Sequence, residues 1–530
     1  MSTDALLPTP SDYGIEEQPE DGKQNTARKV SGLVELASFD DTSNSEADEV
    51  VPVDDGAIAP PFPPEPVAEE ESTEDDPTMS LEGAGVASLD PQTLNGVNSS
   101  FFLWNEFFDD PQLVSLIGLA LVGNQELKIL NEEIWIANNE VDARSGEYLP
   151  FVTLGGGVGI DKASRYTRAG AVEEALEVAP GRSFPDPLPD FLMAANVSWE
   201  VDIWRKLRNA RDAASFRYLG TRDGQNYIQT RLVAEIAEKY YDLLALDNRM
   251  ATLDLTIAIQ KQSLRIAEVK KANAAGTELA VQRFQAEVRK NESEKLVLQQ
   301  EIIEVENRIN FLLGRYPQPV ERRSIDFINL ELNPLNVGVP AQLLSNRPDV
   351  RQAERELAAA GLDIEVARAR FYPSLDITAG LGYQAFNPEY LFVTPEALIY
   401  NLAGDLVGPL INKRAIQAEY RSANAKQIQA VYNYQRTVLN AYTEVVNNMS
   451  KVQNYGESIE SRKQQIQALE TSVQVATQLF DAARAEYVEV LLAQREMMEA
   501  RMVLIDAKRQ QLSAVINTYQ ALGGGAPVAP

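Results

Sequence analysis

The chain has 530 residues, of which 44% are hydrophobic and 24% are charged, a composition typical of a folded protein. It contains no cysteine and no histidine, which excludes disulfides, thiolate nucleophiles, Cys/His zinc sites and imidazole acid–base catalysis. Its formal net charge of −30 would repel a nucleic-acid backbone over most of the surface, so we expect no nucleic-acid partner.

The charge is concentrated at the beginning of the chain. Residues 1–100 hold 23 acidic residues, three basic residues and 11 of the 28 prolines, a net charge of 3 − 23 = −20. A segment of this composition cannot bury enough apolar surface to offset the entropy of ordering, so we expect residues 1–95 to be disordered. A solvated tether is the favoured interpretation of this segment, and an acidic tail that binds a partner is the alternative.

No membrane-spanning helix is expected. The longest apolar stretch, Leu113 to Val122, is about half of the roughly twenty residues that such a helix needs. The first residues also lack the basic start and the apolar run of a signal peptide. β-strands could still cross a membrane, because each needs only about ten residues with alternating faces.

Two stretches of the chain resemble each other. The equivalent pairs are Pro150 and Pro373, Leu154 and Ile377, and Gly159 and Gly382, all with one constant separation along the chain, while Gly314 and Gly523 at the ends of the two stretches have a shorter separation. We therefore predict two copies of one pattern, each running helix, two strands, long helix, helix. The change in separation indicates an insertion in the first copy, which we place between Asp161 and Asp190.

The predicted organisation has five parts. They are a disordered segment (1–95), a first repeat (96–314), a connection (315–340), a second repeat (341–523) and a flexible tail (524–530). The first repeat has strands near 150–160 and 192–203 and long helices over 205–272 and 279–313; the second has strands near 373–385 and 397–408 and long helices over 415–482 and 488–519.

The predicted strands alternate between apolar and polar residues, as half-buried strands do. The apolar face carries Val197, Trp199, Val201, Leu375, Ile377, Leu381 and Tyr383, and the opposite face carries Asn196, Ser198, Glu200, Asp202, Asp376 and Thr378. A half-buried sheet over a soluble core would give this alternation, and so would a barrel wall with lipid outside and water inside. Four strands are too few to close a barrel, whereas three chains with four strands each would give twelve.

The remaining sequence predicts long helices, because it has almost no proline and few glycines. Leu298, Ile302, Val305 and Ile309 recur at spacings of four and three, the pattern of a coiled-coil seam, and we assign them to packing. Helices of roughly 65 residues would extend about 100 Å, so we expect a rod or a tube.

Several motifs, in this order, resemble the TolC family of bacterial outer-membrane efflux channels, in particular the NodT/OprM-like branch that serves RND-type pumps. The motifs are Trp104-Asn-Glu-Phe-Phe-Asp-Asp-Pro111, Val197-Ser-Trp-Glu-Val-Asp202, Leu344-Ser-Asn-Arg347-Pro-Asp349-Val, Ala367-Arg-Ala-Arg-Phe-Tyr-Pro373 and Gly408-Pro409-Leu-Ile-Asn-Lys-Arg414. The resemblance extends over residues 100–525, and the duplicated order makes it specific.

This resemblance implies an α+β membrane protein: a homotrimer whose twelve strands form a barrel in outer-membrane lipid, continuous with a periplasmic coiled-coil barrel of long helices. It implies a periplasmic adaptor (membrane-fusion) protein and an inner-membrane RND-type pump as partners. The apolar strand face would then meet lipid and the polar face the lumen. Such a channel is not an enzyme, and we expect no cofactor and no metal.

The resemblance also implies positions for the gate and for the adaptor contacts. The adaptor would meet the helix-to-helix turns at the periplasmic tips, represented here by Gly276, Thr277, Arg484 and Glu486. The family often closes its pore with two Asp residues one helical turn apart; this sequence has Glu489 at the first position, Leu492 at the second, and Ala280 at the equivalent site of the first half. The predicted gate is therefore partly apolar, and Glu489 could instead be an ordinary solvated charge.

The chain departs from the family in two respects. This branch usually has a leader and a lipid-modified Cys before a stretch like Pro10-Ser-Asp12-Tyr13, and we expect that the leader is missing from the sequence as given. The first-half turn is also about two residues, or about half a helical turn, shorter than the family pattern between Gly276 and Ala280.

The function that we predict is the exit duct of a tripartite efflux pump, a passive conduit from the periplasm to the exterior. The alternatives are the outer-membrane channel of type I protein secretion and, from a different class, a coiled-coil scaffold without a channel. The apolar strand face favours a channel over a scaffold, because a scaffold has no need of Trp199 or Tyr383 on such a face.

Overall fold

The computed structural model describes residues 103–323, 326–332, 346–482 and 484–524. The predicted tether over residues 1–95, the motif at Pro10 to Tyr13 and nearly all of the predicted tail over 524–530 lie outside the described residues. Among the described residues, no single helix is long and apolar enough to cross a membrane; one pair, Pro111–Gly123 with Gln125–Glu147, meets the length and composition criteria together but is bent by 41°.

The described chain is rich in helix, with a small number of strands. The helices are α1 (Trp104–Phe107), α2 (Pro111–Gly123), α3 (Gln125–Glu147), α4 (Arg168–Ala175), α5 (Lys206–Ala272), α6 (Glu278–Leu312), α7 (Pro348–Ala369), α8 (Arg414–Asp481) and α9 (Tyr487–Ala521). The strands are β1 (Phe151–Asp161), β2 (Glu177–Ala179), β3 (Arg182–Ser183), β4 (Leu188–Val201), β5 (Ser374–Ala385) and β6 (Leu398–Val407). Phe327–Asn329 and Pro388–Tyr390 form single 3₁₀ turns.

Four strands form one antiparallel sheet in the order β1-β4-β5-β6. The central pair is in register from Phe191 opposite Ala385 to Val201 opposite Leu375. Because β1 and β6 each pair on one side only, both edges of this sheet are open. The strand predicted near 192–203 begins earlier, at Leu188, and ends at Val201.

The predicted insertion folds as a small unit of its own between β1 and β4. It contains α4 and the β2–β3 hairpin, and it packs on the loop between β5 and β6. Arg182 Nη1 donates to the Tyr390 hydroxyl over 2.7 Å, and the rings of Phe184 and Phe386 meet edge to face at 5.6 Å. The loops at this end of the two strand hairpins are therefore joined.

Side-chain caps explain where several helices begin. Asp110 Oδ1 accepts from Gln112 N over 2.9 Å at the start of α2, with Pro111 in the first helical position. Asn124 Oδ1 accepts from Leu127 N over 3.0 Å at the start of α3. Such caps satisfy backbone N–H groups that have no partner within the helix.

The main core lies where α2, α5, α6 and α9 meet. Tyr240 is fully buried and its hydroxyl donates to Asp110 Oδ2 over 2.7 Å. The ring of Phe107, from the short α1, stacks on Tyr519 of α9 at 4.2 Å. The first residues of the described chain are thus anchored to the last helix.

Each half of the described chain also closes on itself. Asn124 Nδ2 donates to the Leu312 carbonyl over 2.8 Å, which ties the start of α3 to the end of α6. Arg347 Nη1 donates to the Ala521 carbonyl over 3.1 Å, which ties the start of α7 to the end of α9. After both helix ends the backbone turns through a glycine with positive φ, 70° at Gly314 and 82° at Gly523.

Candidate functional site

The strand register places the alternating residues of all four long strands on two common faces. Trp199 lies opposite Ile377, and Leu381 lies opposite Tyr400. The apolar face therefore carries Val152, Leu154, Val158, Ile160, Val197, Trp199, Val201, Leu375, Ile377, Leu381, Tyr383, Tyr400, Leu402 and Leu406. All seven residues that we predicted to be lipid-facing lie on it.

Much of this apolar face is exposed in the described chain, above all on the edge strands, whereas Val197, Val201, Leu375 and Ile377 on the central strands are half-buried. Val158 is 77% exposed, Leu402 is 78% exposed and Tyr400 is 80% exposed. A monomeric soluble protein rarely leaves so large a contiguous apolar surface in water. We therefore expect this face to pack against another molecule, because the described residues do not bury it.

The opposite face is polar and rich in glycine. Ser198 lies opposite Thr378, and Glu200 lies opposite Asp376. Asn196 and Asn401 converge on Gly380, where an added Cβ would come within 2.9 Å and 2.2 Å of their side-chain oxygens, so a larger residue there would push these amides aside. Five of the six residues that we predicted to be lumen-facing lie on this face, and Glu200 is neutralised there by an ion pair with Lys206.

Asp202 is the sixth, and it lies beyond the end of this strand. The strand ends at Val201, and the Asp202 side chain is only 2% exposed. Its Oδ1 accepts from Leu207 N over 3.1 Å and its Oδ2 accepts from Arg208 N over 3.0 Å, so it caps the first turn of α5. Arg205, between strand and helix, adopts the left-handed conformation with φ 58°, which turns the chain.

The turn between α5 and α6 is one of the two predicted tips. Thr277 caps α6, since its Oγ1 accepts from Ala280 N over 3.3 Å. An added Cβ at Gly276 would come within 3.1 Å of Lys271 N, so the turn is tight. Lys271 pairs with Glu278 across the turn, and this ammonium group lowers the pKa of the Glu278 carboxyl below its ordinary value.

The second tip lies between α8 and α9 and is joined to the first. Lys270, at the end of α5, donates from Nζ to the Phe480 carbonyl near the end of α8 over 2.7 Å. The same ammonium lies 3.6 Å from the centre of the Phe480 ring. A cation at the carbonyl end of a helix and over an aromatic face is favourable in both respects. Sequence reasoning missed this contact, which joins residues 210 positions apart.

Arg484 and Glu486 belong to this second turn. The Arg484 N–H donates to the Leu479 carbonyl over 2.8 Å, which closes the end of α8. Glu486 precedes α9 and its carbonyl accepts from Glu489 N over 3.2 Å, in the first turn of that helix. The described residues thus bring all four predicted tip residues to the two helix-to-helix turns.

The predicted gate residues separate into two groups. Glu489 is exposed, Leu492 is 53% exposed, and their spacing of three places them on one face of α9. Ala280 is only 6% exposed and packs inside the protomer, unlike the other two residues. A residue buried within one chain has no surface to offer to a pore.

The charged groups at the sheet and the tips form ion pairs and helix caps. Among the residues that the structure describes, no three acidic side chains are grouped so that they could hold a metal ion. Burial lowers the pKa of the Lys508 ammonium, and its Nζ donates to Gln511 Oε1 one turn farther along α9 over 3.0 Å. What the arrangement offers is a sheet with one apolar and one polar face, and paired helical tips.

Comparison with known proteins identifies the family. The family model described as outer membrane efflux protein matches residues 116–315 and 339–524, which is more than half of the chain. The cation efflux system protein CusC of Escherichia coli is 26% identical over 422 residues, which cover 80% of this chain and 88% of CusC. The toluene efflux pump outer membrane protein TtgI of Pseudomonas putida is 26% identical over 79% of this chain and 87% of its own length.

A solved structure is similar as well. The outer-membrane channel OprN has a TM-score of 0.74 to this chain at 25% identity, and the match covers 82% of this chain and 95% of that one. The sheet and the helical hairpins lie within the residues that the family model matches. The chain belongs to the outer membrane efflux protein family.

Proposed function

We propose that this outer-membrane efflux protein is one protomer of a homotrimeric exit duct in a tripartite efflux system. The observation that carries the proposal is the four-stranded sheet with two open edges and a largely exposed apolar face. Unpaired N–H and C=O groups at both edges need partners in a membrane, where water cannot supply them. A second copy of the same sheet supplies them at each edge.

The strand order is compatible with closure by identical copies. With four antiparallel strands, β1 and β6 run in opposite directions, so β6 of one protomer can pair with β1 of the next without breaking the alternation. Three protomers then give twelve strands, within the range of known outer-membrane barrels. The apolar face meets lipid, and Asn196, Ser198 and Asp376 line the lumen.

We also propose that each protomer consists of two structural repeats, over residues 96–314 and 341–523. Three observations support this proposal. The family model matches once in each part; Arg205 and Asn412, which precede the two longest helices, both have φ 58°; and the contacts of Asn124 and Arg347 with the two helix ends correspond. A duplicated unit explains why both parts contain two strands and a long helical hairpin.

The long helical hairpins form the periplasmic part of the duct in this proposal. At 1.5 Å per residue, α5 and α8 each extend about 100 Å, far beyond the sheet. Three pairs of such hairpins enclose a tunnel continuous with the barrel. The adaptor contacts Gly276, Thr277, Arg484 and Glu486 at the tips, and Glu489 with Leu492 narrows the opening.

The partners follow from the relatives, which are named as parts of efflux systems and efflux pumps. We propose a periplasmic adaptor and an inner-membrane RND-type pump. Because one relative is named for cations and another for toluene at the same identity, we assign the choice of cargo to the pump and not to this chain.

The decisive experiment measures conductance of the detergent-purified protein in a planar bilayer, after its mass in detergent has been determined by light scattering. We expect a particle of three chains and long-lived ionic conductance. A monomer without conductance would instead support the coiled-coil scaffold. The neighbouring genes separate the two kinds of duct: an adaptor with an RND-type pump supports efflux, and an ABC-type exporter with a secreted protein supports type I secretion.

A further inference from the structure

Three helices, α5, α6 and α9, share an apolar seam on the way to the tips. One part of it, the mid cluster, contains Leu246, Leu253, Ile257 and Leu298, with Met250, Ile302, Val305, Met498 and Met502 against them. The other part, the tip cluster, contains Ala267, Val281 and Phe284, with Leu264, Tyr487 and Leu491 against them. Both clusters draw residues from all three helices.

The seam is interrupted between these clusters by a polar layer, consisting of Gln260, Ser263, Asn291 and Gln494. These side chains are 1%, 9%, 1% and 7% exposed, respectively. In each helix the polar residue lies between the positions that belong to the two clusters; on α9, for example, Gln494 lies between Leu491 and Met498. Polar residues at seam positions reduce the stability of a coiled coil and fix the register in which its helices pair. We therefore expect this layer to influence how α5, α6 and α9 pack together.

The two hydrogen bonds of the layer differ. Between α5 and α6, Asn291 Nδ2 donates to Gln260 Oε1 over 2.8 Å, with both residues almost fully buried. Between α5 and α9, Gln494 Nε2 donates to Ser263 Oγ over 3.2 Å. The α5–α6 contact is therefore short and enclosed, and the α5–α9 contact is longer.

Gln494 also has a buried atom without a partner. Its Oε1 is inaccessible and accepts no hydrogen bond from the described residues. The single hydroxyl proton of Ser263 is directed to the Ile259 carbonyl, over 3.2 Å. Flipping the Gln494 amide would only exchange which of its two polar atoms lacks a partner.

A small cavity adjoins this amide between α5, α8 and α9. Its lining includes Gln494 itself, with Ile259, Val473, Met497 and Met498. Methionine side chains are flexible and repack readily. Beside Gln494 there is thus both free space and an adaptable wall.

We propose that the polar layer is a joint at which α9 changes its position against the α5–α6 pair, and that Gln494 is the positioning residue that biases this change. The inference deepens the proposed function and rests on it. An unpartnered buried acceptor disfavours the described arrangement by about five- to a hundredfold. A shift of α9 into the cavity gives the Gln494 amide a new partner, water or backbone, and removes that cost.

The position of the joint gives such a shift a consequence at the opening. Gln260 lies twelve residues before the end of α5, about 18 Å along the helix axis. Glu489 and Leu492 lie beyond the joint on α9, on the side of the tips. A displacement at the polar layer therefore moves the proposed gate, while the paired α5–α6 hairpin stays in place.

The test uses the full-length trimer, whose lack of cysteine allows clean labelling. Cysteines are introduced at the exposed positions Glu268 of α5 and Val488 of α9, spin-labelled, and their distance distribution is measured by double electron–electron resonance. Gln494→Leu removes the unpartnered acceptor, and we expect it to reduce the population outside the described distance at least fivefold. Gln494→Glu keeps an acceptor of the same shape with a charge, and we expect it to increase that population.

The matched control is the double substitution Gln260→Leu with Asn291→Leu, which removes the paired bond of the same layer and leaves no partner behind. It is expected to leave the distance distribution unchanged. Gln494→Met serves as a second neutral variant if the leucine variant does not assemble. Identical distributions for wild type and all Gln494 variants would overturn the proposal, as would a shift in the control as large as that of Gln494→Leu.

Conductance of the wild type separates this proposal from the one on which it rests. A trimer that conducts but has unchanged distances in all variants contradicts the joint alone. A protein without conductance contradicts the duct itself, whatever the distances are.

Discussion

Asn124 and Arg347 lie far apart in the sequence and make the same contact. Each precedes a helix and donates a side-chain hydrogen bond to the carbonyl of the residue that ends the corresponding long hairpin, Leu312 for Asn124 and Ala521 for Arg347. Their separation along the chain equals the one that relates Pro150 to Pro373. A neutral amide and a guanidinium thus perform one structural task, although their side chains share no chemistry beyond an N–H donor.

Substitution of these two residues should lower the free energy of unfolding by different amounts. The Arg347 side chain is 3% exposed and pairs with Asp349 at 2.7 Å and Glu444 at 2.8 Å. We expect Arg347→Met to destabilise the protein by about 3–5 kcal/mol, mainly because the Asp349 carboxylate, which is 16% exposed, loses its cation in a largely buried setting, whereas Glu444 is 39% exposed. Asn124→Ala, the matched substitution, should cost only about 1–2 kcal/mol, the value of a cap and a neutral hydrogen bond. Heating followed by gel analysis of the trimer compares the two, and equal losses would contradict this account.

The apolar sheet face predicts a strong difference between neighbouring residues. Leu402 and Asn401 are adjacent in β6, and only Leu402 lies on the apolar face. We expect Leu402→Arg to lower the yield of membrane-inserted trimer, with a cost of about 2–4 kcal/mol near the middle of a bilayer. Asn401→Arg is the control and should insert normally. Equal insertion of both variants would mean that this face does not meet lipid.

The exposed carboxylate of Glu489 predicts an effect on conductance. Removing three acidic groups from a narrow opening should widen it and weaken its attraction for cations. We expect Glu489→Ala to raise single-channel conductance and to lower cation selectivity, while Glu499→Ala, an exposed glutamate farther along α9 and on a different face of that helix, changes neither. Unchanged conductance and selectivity in the first variant would refute its place at the gate.

The contact of Lys270 with Phe480 predicts a latch between the two helical hairpins. We expect Lys270→Gln to raise the open probability several-fold, because the charge-assisted bond and the ring contact are both weakened. Lys271→Gln is the matched control: Lys271 pairs with Glu278 within one hairpin and does not join the two. Equal effects of both substitutions in bilayer recordings would argue against a latch.

The turn at Gly276 should respond to acid. Lys271 lowers the pKa of the Glu278 carboxyl, so the ionised form is the one that the folded turn favours. The ion pair stabilises the folded turn fully at pH values above 4.5, the ordinary pKa of a Glu carboxyl. This stabilisation is lost as the pH falls through the lowered pKa of Glu278 in the folded turn. We expect amide hydrogen exchange of residues 273–277 to accelerate in that acidic range, beyond the intrinsic pH effect. Glu278→Gln should remove the extra pH dependence, and the wild-type profile in that variant would contradict this origin.

The sequence allowed the two faces of the sheet to be predicted, because period-2 alternation depends only on neighbours along the chain. Trp199 and Ile377 were assigned to one face independently, and the register places them opposite each other. Asp202 continues the alternation by one residue beyond the strand, and its capping role depends on where α5 begins, which the alternation does not contain. The burial of Ala280 and the contact of Lys270 with Phe480 depend on how distant helices pack, which a local pattern does not contain.

The closed ends of the two halves have a consequence for how the chain is assembled. Gly314 lies so close to the Gly123 carbonyl that an added Cβ would approach it to 2.4 Å, and Gly523 approaches the Asn346 carbonyl in the same way. Each half is thus a loop whose first and last helices meet, so the entropy of bringing its ends together concerns about two hundred residues and not the whole chain. One half could therefore be circularly permuted. Its original ends would be joined across the closure and new ends would be opened at the helical tip. Such a permutant would keep the helix-to-helix contacts of that half and lose only the turn at the new ends.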